Sequence, residues 1–458
     1  MMHHGRRVQL ADELLRRFAS ALRASQFYTA HHPLVAQNVS ALGEALALVF
    51  GSQQTITLGV VSGEFVVGDV PLVRASAALT DLLRRLQRAG VERITIDRAV
   101  TPDEIATLVH ALSTLETSTA FGRDEVPMPP MPHIQVGRIQ VQQRVDAGTV
   151  DTTAVRQLYT DATRLASELW DMTAQEGRPD PEQARTVVDS LAQAAAQNRT
   201  ALMALTALKE YDNYTFTHMV NVSILTMAQA RALGIDGVVL REFGLAGLMH
   251  DIGKVRTPTE ILNKASALTQ PEYEIIKRHV VDGAEILRAT PDLPPVVPIV
   301  AFEHHLRIDG TGYPVAVRRP DLNLATQLCG IADVYDAMRS KRRYQKAMPT
   351  ERILAVLQGN DGKQFDQRLV RRFVQIVGVY PVGNLVRLDT GETAVVVRVN
   401  PTDARRPHVR VVLAADGHRL GKPYDVSLWR SEPGSGWPST VTTPIDPSTV
   451  DIEPLSVL

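Results

Sequence analysis

Apolar positions recur at helical spacing from the start of the chain, with Leu10, Leu14, Leu15 and Phe18 on one face. This predicts helices over 8–50, broken at His31-His32-Pro33. That His pair has no carboxylate cluster beside it and reads as a helix-start turn. Two β-rich runs, 55–58 and 65–67, flank Ser62-Gly63 and predict a hairpin. A helix over 77–88 and a strand over 93–96 follow. Thr101-Pro102-Asp103-Glu104 carries a capping box with Pro at the first helical position, and its helix runs to about Leu112. Residues 1–124 are thus expected to form a small α/β domain.

Beyond it the pattern changes twice. Residues 125–150 read as a linker, stiff over Val126-Pro127-Met128-Pro129-Pro130-Met131-Pro132, with an isolated strand at 134–141. Long amphipathic helices are expected over 151–176 and 181–209, the second started by Asp180-Pro181. As connecting helices over 151–200 they either pack on the next domain or pair between subunits in a homodimer; both options stay open. Helical patterning continues over 201–378. From Tyr380 the period becomes two: 385–388, 394–399 and 409–413 are expected strands, with turns at Asp389-Thr390-Gly391 and Asp416-Gly417. This predicts a small β domain over 379–432. The tail, 433–458, is rich in Pro, Ser and Thr and is expected to be flexible.

Composition narrows the classes. The chain has 458 residues, 44% of them hydrophobic, enough for several cores. A net charge of −1 gives no bulk field to draw a nucleic acid polymer or an anionic membrane. Cys329 is the one cysteine, which suits a reducing compartment. No apolar run reaches the roughly 18 residues of a membrane span, and the start of the chain lacks an apolar signal core. A soluble, cytoplasmic protein is expected. The 1–124 domain shows no nucleotide loop, haem motif or phosphoacceptor pattern, so a sensory or dimerisation role is expected there.

The densest chemistry lies at Leu248-Met249-His250-Asp251-Ile252-Gly253-Lys254. Adjacent side chains on a helix diverge by about 100°, so one ion rarely takes both His250 and Asp251. Two ions can, if the carboxylate bridges them. Residues 243–249 are all apolar or glycine, so this turn is expected to be buried, and buried polar groups need partners. His218, His250, His279, His304, His305, Asp251 and Asp333 supply seven candidate ligands, enough for two metal ions with positions open to water and substrate. Lys254 shares the face of His250 if the helix continues past Gly253, and a cation there suits a phosphate. Glycines make 309–314 a turn-rich loop beside His304-His305, a natural rim for a substrate cleft. The candidate substrate contacts are Arg307, Asp309, Gly312, Tyr313 and Pro314. Arg342, in the basic run 339–344, joins them as a phosphate holder.

The series His218-Met219-Val220-Asn221, His250-Asp251-Ile252-Gly253-Lys254, His279, His304-His305-Leu306-Arg307-Ile308-Asp309-Gly310-Thr311-Gly312-Tyr313-Pro314 and Asp333-Val334-Tyr335-Asp336-Ala337 resembles the HD-GYP family, a branch of the HD metal-dependent phosphohydrolases. The resemblance covers about 201–378. It implies an all-helical HD-type metal domain there and says nothing direct about the flanks; with the small α/β domain before it and the small β-rich domain after it, the expected fold class is mainly α. It also implies hydrolysis of cyclic di-GMP to the linear dinucleotide or GMP; read instead as a binding module, the chain would signal through its N-terminal domain or through protein partners at the Gly312-Tyr313-Pro314 loop.

The chemistry expected of the cluster follows from two cations a few ångströms apart. They lower the pKa of a shared water and neutralise a phosphodiester. Asp251 would bridge them, and Lys254 would stabilise charge on the phosphoryl oxygens. Mixed nitrogen and oxygen ligands suit iron or manganese. Family members with a third metal have a Glu where this chain has Tyr214, so two ions are expected. Leu306 stands where a Glu often follows the His pair, and Arg343 and Gln345 replace a usual Pro and a usual basic residue. These departures bear on affinity and turnover. A weakly catalytic binding module and a phosphohydrolase for another nucleotide are the alternative readings.

Overall fold

The computed structural model describes residues 2–29, 32–51, 53–61, 64–68, 70–72, 77–89, 91–114, 128–137, 152–197, 200, 203–204, 206, 214–264, 266–315, 322–339, 348–359, 363–400, 403–429, 439–445, 449–450 and 452–458. The protein is mainly α-helical, 59% of it, with sheet at both ends of the chain. It divides into two compact units, residues 1–140 with 231–239, and residues 141–230 with 240–458.

In the first unit, helices α1 (Met2–Phe27), α2 (Pro33–Phe50) and α4 (Pro102–Thr114) pack together, and α3 (Ala77–Arg88) lies against α1. The sheet holds β1 (Thr55–Val61), β2 (Glu64–Val67), β3 (Val70–Leu72), β4 (Arg93–Asp97) and β5 (Ile134–Gly137) in the order β3-β2-β1-β4-β5, antiparallel throughout. Alternation along β4 turns Ile94 and Ile96 inward, onto Leu14, Phe18, Leu79 and Leu108. The capping box forms: Glu104 Oε2 accepts from Thr101 N at 2.9 Å, and Glu104 N donates to Thr101 Oγ1 at 3.3 Å. His32 caps α2, its Nδ1 accepting from Leu34 N at 3.2 Å, as a helix-start turn should. Helix α2 is long and apolar enough to cross a membrane by composition alone, but Val35, Val39, Leu42, Leu46 and Phe50 sit in this core.

Two expectations need correction. The strand at 134–137 is not isolated: it pairs with β4, and this unit therefore runs past residue 124. An edge strand leaves backbone groups unpaired, and β5 satisfies those of β4. The tail is not flexible over its described part, because β10 (Val441–Ile445) pairs with β6 (Leu385–Leu388). The Ser62-Gly63 turn, most of the Pro-rich linker and residues 433–438 lie outside the described residues.

In the second unit, α5 (Thr152–Glu176) and α6 (Pro181–Gln197) pair. Then come α7 (Tyr214–Ala232) and α8 (Gly237–Met249), apart from their residues 231–232 and 237–239, which belong to the first unit, a 3₁₀ turn (Ile252–Arg256), α9 (Thr259–Leu262), α10 (Gln270–Lys277), α11 (His279–Arg288), α12 (Val296–Glu303), α13 (Leu324–Arg339), α14 (Thr350–Gly359) and α15 (Gln367–Val377). After them β7 (Thr393–Arg398), β8 (His408–Leu413) and β9 (Arg419–Ser427) complete a second antiparallel sheet, ordered β10-β6-β7-β8-β9. That sheet is apolar on both faces. Val386, Leu388, Ala394 and Val396 pack on one side with Val409 and Leu428, and Leu385, Val395 and Val412 pack on the other with Ile452.

Candidate metal centre

Helix α7 is buried over nearly its whole length, which is why its apolar residues mark no single stripe. Its polar groups reach neighbouring backbones: the Ser223 hydroxyl donates to Gly244 O at 2.8 Å and the Gln229 amide to Leu328 O at 2.9 Å. This packing sets His218 against the end of α8. Helix α8 stops at Met249, and His250 and Asp251 lie in the turn that follows. The 3₁₀ turn then crosses the start of α11 at Gly253. A Cβ there would stand 2.0 Å from His279 O and 2.4 Å from Gly283 N, so only glycine permits this approach. The crossing carries Asp251 to His279, and α12 and α13 add the His304-His305 pair and Asp333.

All seven expected ligands come together, in two adjoining groups. His218, His250 and Asp333 form one; Asp251, His279, His304 and His305 form the other, with ligand atoms in each within 4.8 Å of one another. His218 Nε2 lies 3.2 Å from Asp333 Oδ1 and 3.8 Å from Asp251 Oδ2. On the far side, Asp251 Oδ1 is 3.2 Å from His279 Nε2 and 3.7 Å from His304 Nε2. Asp251 therefore offers one oxygen to each group, the arrangement a bridge requires.

The histidines are oriented by what holds their other nitrogen. His250 Nδ1 bonds Gly247 O at 2.8 Å, His279 Nδ1 bonds Ile276 O at 2.7 Å, and His304 Nδ1 bonds Ala301 O at 3.0 Å. A carbonyl accepts only, so each Nδ1 carries a proton and each Nε2 is the nitrogen turned to the centre. Among the described residues His250 Nε2 and Asp251 Oδ1 are buried with no hydrogen-bond partner, which is costly without a cation. The donor set thus fits divalent ions.

Electrostatics agree. Burial opposes ionisation of Asp251, but Lys254 and His250 outweigh it, and its pKa stands well below the usual carboxylate range. Asp333 behaves alike: burial opposes its charge, and the hydrogen bond to His218 prevails. Burial pushes His279 down to about 3 and His305 well below the ordinary imidazole value, so both are neutral ligands at pH 7. His218 is the exception. Burial opposes its charge, but hydrogen bonds to Asp333 and Asp336 prevail and raise it to about 9.

Lys254 is placed otherwise than expected. The helix does not continue past Gly253, so Lys254 does not share a helical face with His250; its ammonium, on the 3₁₀ turn, pairs with Asp251 Oδ2. In the loop, Tyr313 tilts over His305, ring centroids 4.4 Å apart, and its N–H donates to His305 O at 3.3 Å. Gly312 has φ 96°, and a Cβ there would meet His305 O at 2.2 Å. Leu306 turns inward and bridges Gly312, and half-buried Pro314 follows Tyr313. Arg307 and Asp309 are exposed. The Asp309 carboxylate is taken up by its own loop, accepting from Thr311 N at 2.9 Å and Thr311 Oγ1 at 2.6 Å. Among the described residues neither is hydrogen-bonded or ion-paired to the seven ligands. Arg342, Arg343 and Gln345 lie outside the described residues.

One supporting group went unassigned in the sequence reading. Asp336, one turn after Asp333 on α13, accepts from His218 Nδ1 at 2.8 Å and from Asn221 Nδ2 at 2.9 Å. Its spacing of three from a ligand carboxylate on a buried helix was the available signal.

Two adjoining imidazole–carboxylate groups on packed helices define a helical domain for divalent metals. Residues 189–369 match the family model described as HD domain, and residues 385–431 the one described as KOW domain associated with HD domain. Residues 189–369 are therefore similar to an HD domain, and they carry the HD-GYP motif series in order. The cyclic di-GMP phosphodiesterase PA4108 of Pseudomonas aeruginosa is 39% identical over 236 residues, 52% of this chain and 57% of the relative. The cyclic di-GMP phosphodiesterase PdeB of Borreliella burgdorferi is 26% identical over 201 residues, 44% of this chain and 53% of the relative. The solved structure of Bd1817, an HDGYP protein from Bdellovibrio bacteriovorus, is similar at TM-score 0.42 and 17% identity, covering 70% of this chain and 94% of that one. The chain spans about half the length of the curated relatives it matches.

Proposed function

We propose that this protein is a two-metal phosphodiesterase that hydrolyses cyclic di-GMP to the linear dinucleotide or GMP. The observation that carries the reading is the pair of unpartnered buried atoms, His250 Nε2 and Asp251 Oδ1, inside seven inward-facing ligands. Iron or manganese suits this nitrogen and oxygen set. When bound, two such ions would supply Lewis acidity and an activated water.

The chain's own residues do the rest. Backbone carbonyls fix the imidazole tautomers before any ion arrives. Asp251 holds the two sides in register. Lys254, partly exposed beside that carboxylate, is placed to meet a phosphoryl oxygen once the ions satisfy Asp251. Tyr313, whose phenol burial pushes further above its ordinary value, walls the His305 side of the cleft. The relatives named for cyclic di-GMP hydrolysis support the choice of substrate.

Metal analysis of anaerobically purified protein should give about two ions per chain, the capacity of seven ligands. The same preparation should convert cyclic di-GMP to product. Full metal content without turnover would leave a cyclic dinucleotide-binding module instead; no bound metal would overturn the reading.

A further inference from the structure

The support of the His218 side continues outward. Asn221 Oδ1 accepts from the Tyr159 hydroxyl at 2.8 Å, and Tyr159 is 2% exposed. The direction of every bond in this series is forced. A carboxylate only accepts, so the Asn221 side chain must turn its NH₂ to Asp336 and its oxygen to Tyr159. The phenol must then donate. Asp336 in turn receives the Nδ1 proton of His218, so Nε2, which faces Asp333 Oδ1 at 3.2 Å, is the nitrogen an ion would take on displacing its proton. Three bonds of 2.8, 2.9 and 2.8 Å thus run from helix α5 to one metal ligand.

Tyr159 lies outside the segment that matches the HD family model, 189–369, on a helix read from sequence as a connector. Helix α5 also packs on the 3₁₀ turn that carries Lys254. We infer that Tyr159 is a positioning residue for the ion on the His218, His250 and Asp333 side, acting through Asn221 and Asp336. It touches neither ion nor substrate. Its hydroxyl locks the Asn221 amide, the amide locks the carboxylate, and the carboxylate sets the tautomer and plane of His218. The inference rests on the metal-centre reading alone and is independent of the substrate.

The test is chelator competition on full-length protein loaded with manganese, counting ions per chain. Tyr159→Phe removes one oxygen from a packed ring. It should weaken one ion by about tenfold or more, the scale for losing an outer partner of a metal-bound histidine, and leave the other unchanged. Asn221→Ala breaks the same series from the inner end and should weaken the same ion. It also serves alone if Tyr159→Phe does not fold. In the Asn221→Ala background, Tyr159→Phe should add nothing, because the route is already cut. Unchanged affinities, equal weakening of both ions, or full additivity in the double variant would each overturn the inference. Wild-type protein that binds no manganese would refute the metal centre itself, a separate result.

Discussion

Gly253→Ala tests whether the crossing of the 3₁₀ turn over α11 builds the centre. The added Cβ would lie 2.0 Å from His279 O, 2.4 Å from Gly283 N and 2.8 Å from Gly283 Cα. All three are backbone atoms, so no rotamer relieves the overlap. Ordinary carbon contacts begin near 3.4 Å, which requires a retreat of about 1.4 Å between the two segments. Asp251 precedes the turn and His279 opens α11, and they face each other across 3.2 Å. Metal–ligand bonds of about 2.0–2.2 Å cannot follow such a retreat on both sides. Overpacking of this kind costs about 1–3 kcal/mol or more. A misplacement near 1 Å costs about 10²-fold in rate. Gly253→Ala should therefore lose the ion shared by Asp251 and His279 and at least that factor in turnover. Gly359→Ala, where no atom of the described residues lies within 4 Å of the new Cβ, is the control and should be neutral. Metal content and initial rate measured on both variants decide the matter. A Gly253→Ala protein with two ions and an undiminished rate would refute the argument.

Further outcomes follow from individual side chains. Asp251→Ala should release both ions in equilibrium dialysis, since one oxygen faces each group; retention of either ion with full activity would remove the bridge. Lys254→Ala should keep both ions and lower turnover by about 10²–10³-fold, the scale for one electrostatic donor, with a smaller change in substrate affinity. An unchanged rate would make the lysine structural. In the first unit, backbone N–H groups of Thr101 and His133 hold Glu104 down at about 2, against an ordinary value of 4.5. A depressed folded-state pKa means that this stabilisation is complete above 4.5 and lost as the pH falls toward 2. Glu104→Gln should flatten that window in hydrogen exchange at β4 and β5; an unaltered pH profile would count against it.

The seven candidate ligands, which the structure brings together, were legible because imidazoles and carboxylates are rare on buried helices and therefore stand out. Their supports were not. Tyr159 and Asn221 are 62 positions apart, and a tyrosine on an amphipathic helix carries no local mark of what its hydroxyl meets. Lys254 was misplaced because the helix stops at Met249. The close approach of Gly253 to α11 just beyond that stop is a tertiary contact invisible to periodicity. Strands β5 and β10 are short edge additions, four and five residues long, whose pairing partners lie far away along the chain. Composition marked the surroundings of both as linker or tail, and edge pairing overrode it.

The two-sided burial of β7 has a practical side. Val395 looks one way and Ala394 and Val396 the other, so the strand is dry on both faces over its first four residues, and Ile452 is part of what keeps it so. Anyone trimming the chain after Ile445 to tidy it for crystallisation removes that cover and bares Leu385, Val395 and Val412 as a sticky patch.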